Sequence, residues 1–175
     1  TELKTIGVVG AGLMGHGIAQ VSAQAGYEVV LVDADAAALE KGLGVVRDQV
    51  AKAVAKEKLT AEEGDAITGR LRGSTEIAEL AKDCDILVTS YTLLRLEAED
   101  YHQLSWAGMI LDEAQAVKNY RGKTYQAVRR VPASFRLAIT GTPLENSLMD
   151  LWALLSLTAP GLYPNPDTFA DDYRR

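Results

Sequence analysis

Apolar runs that alternate with helical periods constrain this chain more than any other feature. "TIGVVG" is a short apolar run ending at Gly10, and Met14, Ile18, Val21 and Ala25 follow it at spacings of four, three and four. Such spacing lays one apolar stripe along a helix, and Gly26 suits its C-terminal cap. "YEVVLVD" is a second buried strand. From Ala36 to about Lys58 a long helix carries Leu39, Leu43, Val46, Val50 and Val54 on one face, and Thr60 with Glu63 has the spacing of a capping box. "RLRGST", "CDILVTS", "MILDEA" and "FRLAITG" read as strands three to six. Helices are expected over "EIAELAKD", about 91–104, about 119–131, and through Leu148, Leu151, Trp152 and Leu155. The stretch from Pro160 reads as a loop or a wrap over the surface. Alternation of this kind predicts an α/β fold with a parallel sheet covered on both faces. The expectation is a single domain, a three-layer α/β/α sandwich of about six strands over residues 1–175.

Bulk properties narrow the function classes. The 175 residues suffice for one compact domain with a real core. Residues 1–83 hold nine basic and thirteen acidic side chains, and the remainder nine and eleven. Neither part has the basic stripe of a nucleic-acid binder, so no nucleic-acid partner is expected. Cys84 is the only cysteine, which suits a reducing, cytoplasmic compartment. No apolar run approaches the ~20 residues that span a bilayer, and Thr1 leads almost at once into an apolar strand. Neither a membrane anchor nor a signal peptide is therefore expected. A monomer is the expected state.

The first chemical motif is "GAGLMG", which sets Gly10, Gly12 and Gly15 in G-x-G-x-x-G spacing. It follows a strand, opens a helix, and is answered by Asp33 at the end of the second strand. That context is what dinucleotide binding requires. Gly10 permits the tight turn, Gly12 lets a pyrophosphate approach the helix N-terminus, and Gly15 lets helix and strand pack closely. Asp33 suits the ribose hydroxyls and would repel a 2′-phosphate, so NAD is expected over NADP. The expected architecture is accordingly Rossmann-like and doubly wound.

Residues 5–83, from "TIGVVGAGLMGHGIAQ" through "STEIAELAKD", resemble the N-terminal half of the NAD domain of bacterial 3-hydroxyacyl-CoA dehydrogenases. The long helical excursion after Asp33 is more specific to that family than the glycines are. The resemblance implies NAD or NADH bound at Gly10, Gly12, Leu13, Met14, Gly15 and Asp33. From about Asp85 the text changes. "DILVTSYTLLRLE", "WAGMILDEAQAVKN" and "RLAITGTPLENSLMDLWALLSLTAPGLY" resemble the first motor lobe of Swi/Snf-type remodelling ATPases, within the superfamily-two helicases. In that family the acids matching Asp112 and Glu113 coordinate magnesium and activate water, and the turn matching Thr140 to Pro143 couples nucleotide state to DNA engagement. Asn146 and Leu148 continue the resemblance without an assigned role.

A P-loop cradle needs G-x-x-x-x-G-K-[ST], and no such string occurs in this chain. Asp112 and Glu113 are therefore read as orphans, solvated at a strand end. The dehydrogenase family's catalytic His–Glu dyad also has no counterpart, since the only histidines are His16, in the cofactor helix, and His102, read as a surface residue. Cys84 and the tryptophans Trp106 and Trp152 are read as core, and the pairs Arg129–Arg130 and Arg174–Arg175 as solvated faces. The expectation is a chain that is not an enzyme, binding NAD weakly without turnover and holding no metal. A scaffold without a functional ligand and a residual ATP–magnesium binder are the alternatives. Two unrelated texts, about 1–84 and about 85–175, meet inside one strand without breaking the alternation. The chain thus reads as an engineered chimera.

Overall fold

The structure, a computed structural model, describes residues 3–78, 80, 84–144 and 147–173. The expected helix over "EIAELAKD" falls partly, and Asn146 and Arg174–Arg175 fall wholly, outside the described residues. The chain divides into two compact units, Thr1–Leu93 and Leu94–Arg175.

The first unit is built on β1 (Thr5–Val9), β2 (Glu28–Val32), β3 (Leu71–Ser74) and β4 (Ile86–Val88), all parallel in the order β3-β2-β1-β4. Val29 to Val32 of β2 are each at most 2% exposed, as a run apolar on both sides of a covered parallel sheet should be. Helices α1 (Leu13–Gln24), α2 (Ala36–Ala55) and α3 (Ala61–Gly69) connect the first three strands. Gly26 takes φ +98° just past α1, a conformation that favours glycine. Asp35 starts α2 by accepting the N–H groups of Ala37 and Ala38. The Thr60–Glu63 capping box is closed in both directions. Leu39, Leu43, Val46 and Val50 face the core with Val8, Ala19 and Leu31, as their spacing predicts.

The expected change of text falls at β4, and its register is set by Asp85. The Asp85 carboxylate accepts the backbone N–H groups of Lys4 at 2.8 Å and Thr5 at 2.9 Å, and its own N–H donates to the Thr5 carbonyl. Ile86, Leu87 and Val88 then pair with Ile6, Gly7 and Val8. Those two N–H donors hold the carboxyl below its ordinary value. A depressed folded value contributes stability above the unfolded one and loses it as pH falls through the folded one. Asp85→Asn is therefore expected to lower the unfolding midpoint at pH 7, and the difference should shrink as pH falls below about 4; thermal scans across pH 2–7 measure it.

In the second unit β5 (Met109–Leu111) and β6 (Arg136–Ala138) pair in parallel in a sheet of their own. Among the described residues the strands form sheets of four and two rather than one sheet of about six. Three-residue strands carry too short a ladder for the alternation alone to say which strands become neighbours. Behind β5–β6 lies a core of Leu111, Val117, Tyr125, Val128, Trp152 and Leu157. On the other side Ile110, Phe135, Leu137 and Ile139 stand 64%, 57%, 48% and 49% exposed. They alternate along β6 and meet across the Ile110–Leu137 pair, so this unit is not covered on both sheet faces.

Further local expectations change from β4 onward. The helix placed at 91–104 is two, Tyr91–Leu96 and Ala98–His102. Helix Leu148–Thr158 buries Trp152, Ala153, Leu154 and Leu157, so Leu148, Leu151 and Leu155 lie towards its flank. A helix apolar nearly all round leaves its phase open. After Pro160 the chain forms a helix, Pro166–Tyr173, rather than only a loop. Asn165 accepts the N–H groups of Asp167 and Thr168, and Pro166 fills the first helical position, where its missing N–H costs nothing. Trp106 and Cys84 are half-buried rather than core.

Candidate functional site

Every dinucleotide residue named from the sequence lies at the carboxyl ends of β1 and β2. Val9 and Val32 are paired, and the next residue on β1 is Gly10. Gly10 turns the chain at φ +99° and donates its N–H to the Val32 carbonyl at 2.7 Å. Gly12 is the N-cap of α1, with no side-chain cap and open space where a Cβ would stand. The first N–H groups of a helix have no partner within the helix, and together with the macrodipole they favour an anion. A Cβ at Gly15 would collide with the Gly10 carbonyl oxygen, so α1 closes on β1 only because this residue has no side chain. Leu13 and Met14 flank the open end and are 83% and 75% exposed.

Asp33 is half-buried beside this loop. One carboxylate oxygen accepts the Ala11 N–H at 2.9 Å and the other the Asp35 N–H at 3.0 Å. The residue read from the sequence as a ribose acceptor thus also holds the glycine loop. The residues present fit a dinucleotide: an open helix N-terminus, a loop with glycine on either side of a buried Ala11, and a fixed carboxylate one strand away.

Asp112 and Glu113 follow β5 in the second unit. Both are exposed, as expected of solvated acids, yet they are not isolated. Glu113 adopts φ +47°, ψ +48°, and its N–H donates to an Asp112 carboxylate oxygen at 2.9 Å. Gln115 donates its amide N–H to Glu113 at 2.6 Å and accepts the Thr140 hydroxyl at 2.7 Å. Thr140 in turn accepts the Thr142 N–H at 3.1 Å. The acids and the "TGTP" turn are therefore wired together by a glutamine that the sequence reading passed over. A side chain able both to donate and to accept, two residues beyond the acids, was the available signal. Among the described residues no three His, Cys, Asp or Glu side chains gather as a metal site. Magnesium held by one or two carboxylates relies on substrate phosphates for the rest of its shell, and the sequence carries no lysine-bearing P-loop string to place them. The fit for magnesium is accordingly poor.

His102 is half-buried with Nε2 3.1 Å from the Ala127 carbonyl, so it is tethered rather than a free surface side chain. Arg136 reaches the carbonyls of Arg129 and Val131 after helix Lys123–Arg130, and burial holds its guanidinium below the usual value. No helix among the described residues is long and apolar enough to cross a membrane.

Comparisons with known proteins give likenesses of two kinds. The SNF2-related domain profile matches residues 46–175, starting within α2 and so well before the expected join near residue 85. The helicase ssl-1 of Caenorhabditis elegans is 41% identical over 86 residues, which are 49% of this chain and 4% of that protein. The chromatin-remodeling ATPase INO80 of Debaryomyces hansenii is also 41% identical over 86 residues, 6% of its length. The chain thus spans a small fraction of the curated relatives it matches. Among solved structures, 3-hydroxybutyryl-CoA dehydrogenase from Escherichia coli K12 superposes with a TM-score of 0.51 at 30% identity, covering 57% of this chain and 23% of that one. (S)-3-hydroxybutyryl-CoA dehydrogenase from Ralstonia eutropha gives 0.53 at 35% identity, covering 59% and 38%. FadB2 of M. tuberculosis gives 0.59 at 22% identity over 89% of this chain and 60% of that one, a likeness of fold alone. These findings correct one expectation. Both likenesses lead to proteins named as enzymes, an ATPase and dehydrogenases, so the reading of the chain as a non-enzyme does not stand. With dehydrogenase likeness on one side and a motor-domain match on the other, the chain is a chimera of the two, and through residues 46–175 it belongs to the SNF2-related domain family.

Proposed function

We propose that this chain binds a dinucleotide, NAD or NADH, at the carboxyl ends of β1 and β2. Gly12 and the first N–H groups of α1 take the pyrophosphate, Leu13 and Met14 cover it, and Asp33 takes the adenosine ribose. The observation that carries the reading is the Gly15–Gly10 approach: the helix is brought so close to the strand that no side chain fits, with its N-terminus left open beside a fixed carboxylate. The like solved structures named 3-hydroxybutyryl-CoA dehydrogenases support the same ligand. A reducing, cytoplasmic setting accords with the single half-buried cysteine, Cys84.

Calorimetric titration with NADH tests the reading. The glycine turn and Asp33 supply about half of a dinucleotide's contacts, so the expected Kd lies at roughly 10 μM to 1 mM, about 4–7 kcal/mol. NADPH should bind about tenfold more weakly, because the Asp33 carboxylate meets its 2′-phosphate. No heat at several millimolar NADH would reject the proposal, and equal affinity for NADPH would remove Asp33 from it. The competing reading, ATP–magnesium at Asp112 and Glu113, has the poor magnesium fit of those acids against it. A parallel titration with ATP and magnesium decides between them.

A further inference from the structure

We propose that Gly42, on α2, is a positioning residue for the dinucleotide loop and acts through Ala11; this deepens the NAD reading and rests on it. A Cβ at Gly42 would lie 2.7 Å from the Ala11 carbonyl oxygen and 3.0 Å from the Ala11 Cβ. The first of these neighbours is backbone, which cannot swing aside as a side-chain tip would. On its other side Ala11 donates its N–H to Asp33 at 2.9 Å, and the preceding residue is tied to Val32 at 2.7 Å. Ala11 is 4% exposed and directly precedes Gly12, the N-cap whose N–H faces the pyrophosphate.

The loop is therefore clamped: α2 bears on the carbonyl side of Ala11, and the Asp33 carboxylate holds its amide. Glycine weakens the interior of a helix, so at this position packing, not helix formation, accounts for the absence of a side chain. Gly44, two residues along the same helix, has nothing within 4 Å of where its Cβ would be. The two glycines separate the effect of loop position from that of helix propensity.

The test compares Gly42→Ala and Gly44→Ala in the full chain. Displacing Ala11 by a few tenths of an ångström moves the Gly12 N–H, so Gly42→Ala should weaken NADH at least tenfold and shift the Ala11 amide resonance. Gly44→Ala should leave NADH affinity within twofold and the Ala11 resonance in place. NADH affinity and an Ala11 resonance both unchanged in Gly42→Ala would overturn the proposal. If Gly42→Ala does not fold, Ala11→Gly, which deletes the methyl that faces α2, should weaken NADH severalfold with circular dichroism retained. Parental affinity in that variant would equally overturn it. If the parent takes up no NADH, the nucleotide reading fails, and the Ala11 resonance alone decides whether α2 sets the loop.

Discussion

Gly15→Ala is expected to abolish measurable NADH binding and to destabilise the first unit by roughly 1–3 kcal/mol, the usual cost of forcing an extra carbon into a closed contact. The added Cβ meets the Gly10 carbonyl oxygen, and Gly10 has little room to give. Its φ of +99° is already in the left-handed region and its N–H is committed to Val32. Gly17 provides the contrast. A Cβ there meets nothing within 4 Å, so Gly17→Ala should keep NADH affinity and gain about 0.5–1 kcal/mol from helix propensity. Urea unfolding of both variants, with NADH titration alongside, measures each effect. A Gly15→Ala protein with parental stability and affinity would show that α1 does not close on β1 as described.

Trp152→Ala should have the largest effect in the second unit, about 3–5 kcal/mol from lost burial and the cavity left behind. The indole is 4% exposed, stacks edge-on against Tyr120 with ring centroids 5.3 Å apart, and donates its N–H to the Tyr163 carbonyl at 3.0 Å. Trp152→Phe keeps one aromatic ring but loses part of the indole and its N–H donor, leaving that carbonyl without its partner. The lost donor should cost about 1–3 kcal/mol, with the smaller ring adding to it. Denaturant unfolding followed by near-ultraviolet circular dichroism reads both. Equal stability for Trp152→Phe and the parent would remove the hydrogen bond from the account, and a loss under 1 kcal/mol for Trp152→Ala would remove the packing as well.

The first unit was largely legible in the sequence because its signals are local and agree. "VVLV" fills a strand buried on both faces, Asp35 and Thr60 mark helix starts, and Gly10 and Gly15 each answer a separate steric need. The second unit was less legible because its decisive facts are non-local. Which way Leu148–Thr158 turns its apolar surface depends on what packs against it, since Leu, Met, Trp and Ala leave almost no polar face. That β5 pairs with β6 in a separate sheet depends on three-residue ladders that any of several neighbours could complete. The same division runs through the sites. Gly10, Gly12 and Gly15 stand in one six-residue motif and Asp33 at the end of the next strand, whereas Gln115 and Gly42 gain their roles from residues 25 and 31 positions away, Thr140 and Ala11.

The seam at Asp85 has a consequence for how such chains can be joined. β4 is locked to β1 by a carboxylate on two consecutive N–H groups, and Leu87 then lies beside Gly7. Side chains alternate along a strand, so a shift of one position would exchange which residues face inward. The joint therefore behaves as a reading frame. The words on either side can come from different families, provided the phase from Asp85 into Ile86–Val88 is kept. With the carboxylate held on its donors, a single residue inserted directly after Asp85 would turn the incoming strand over, however well each half is written.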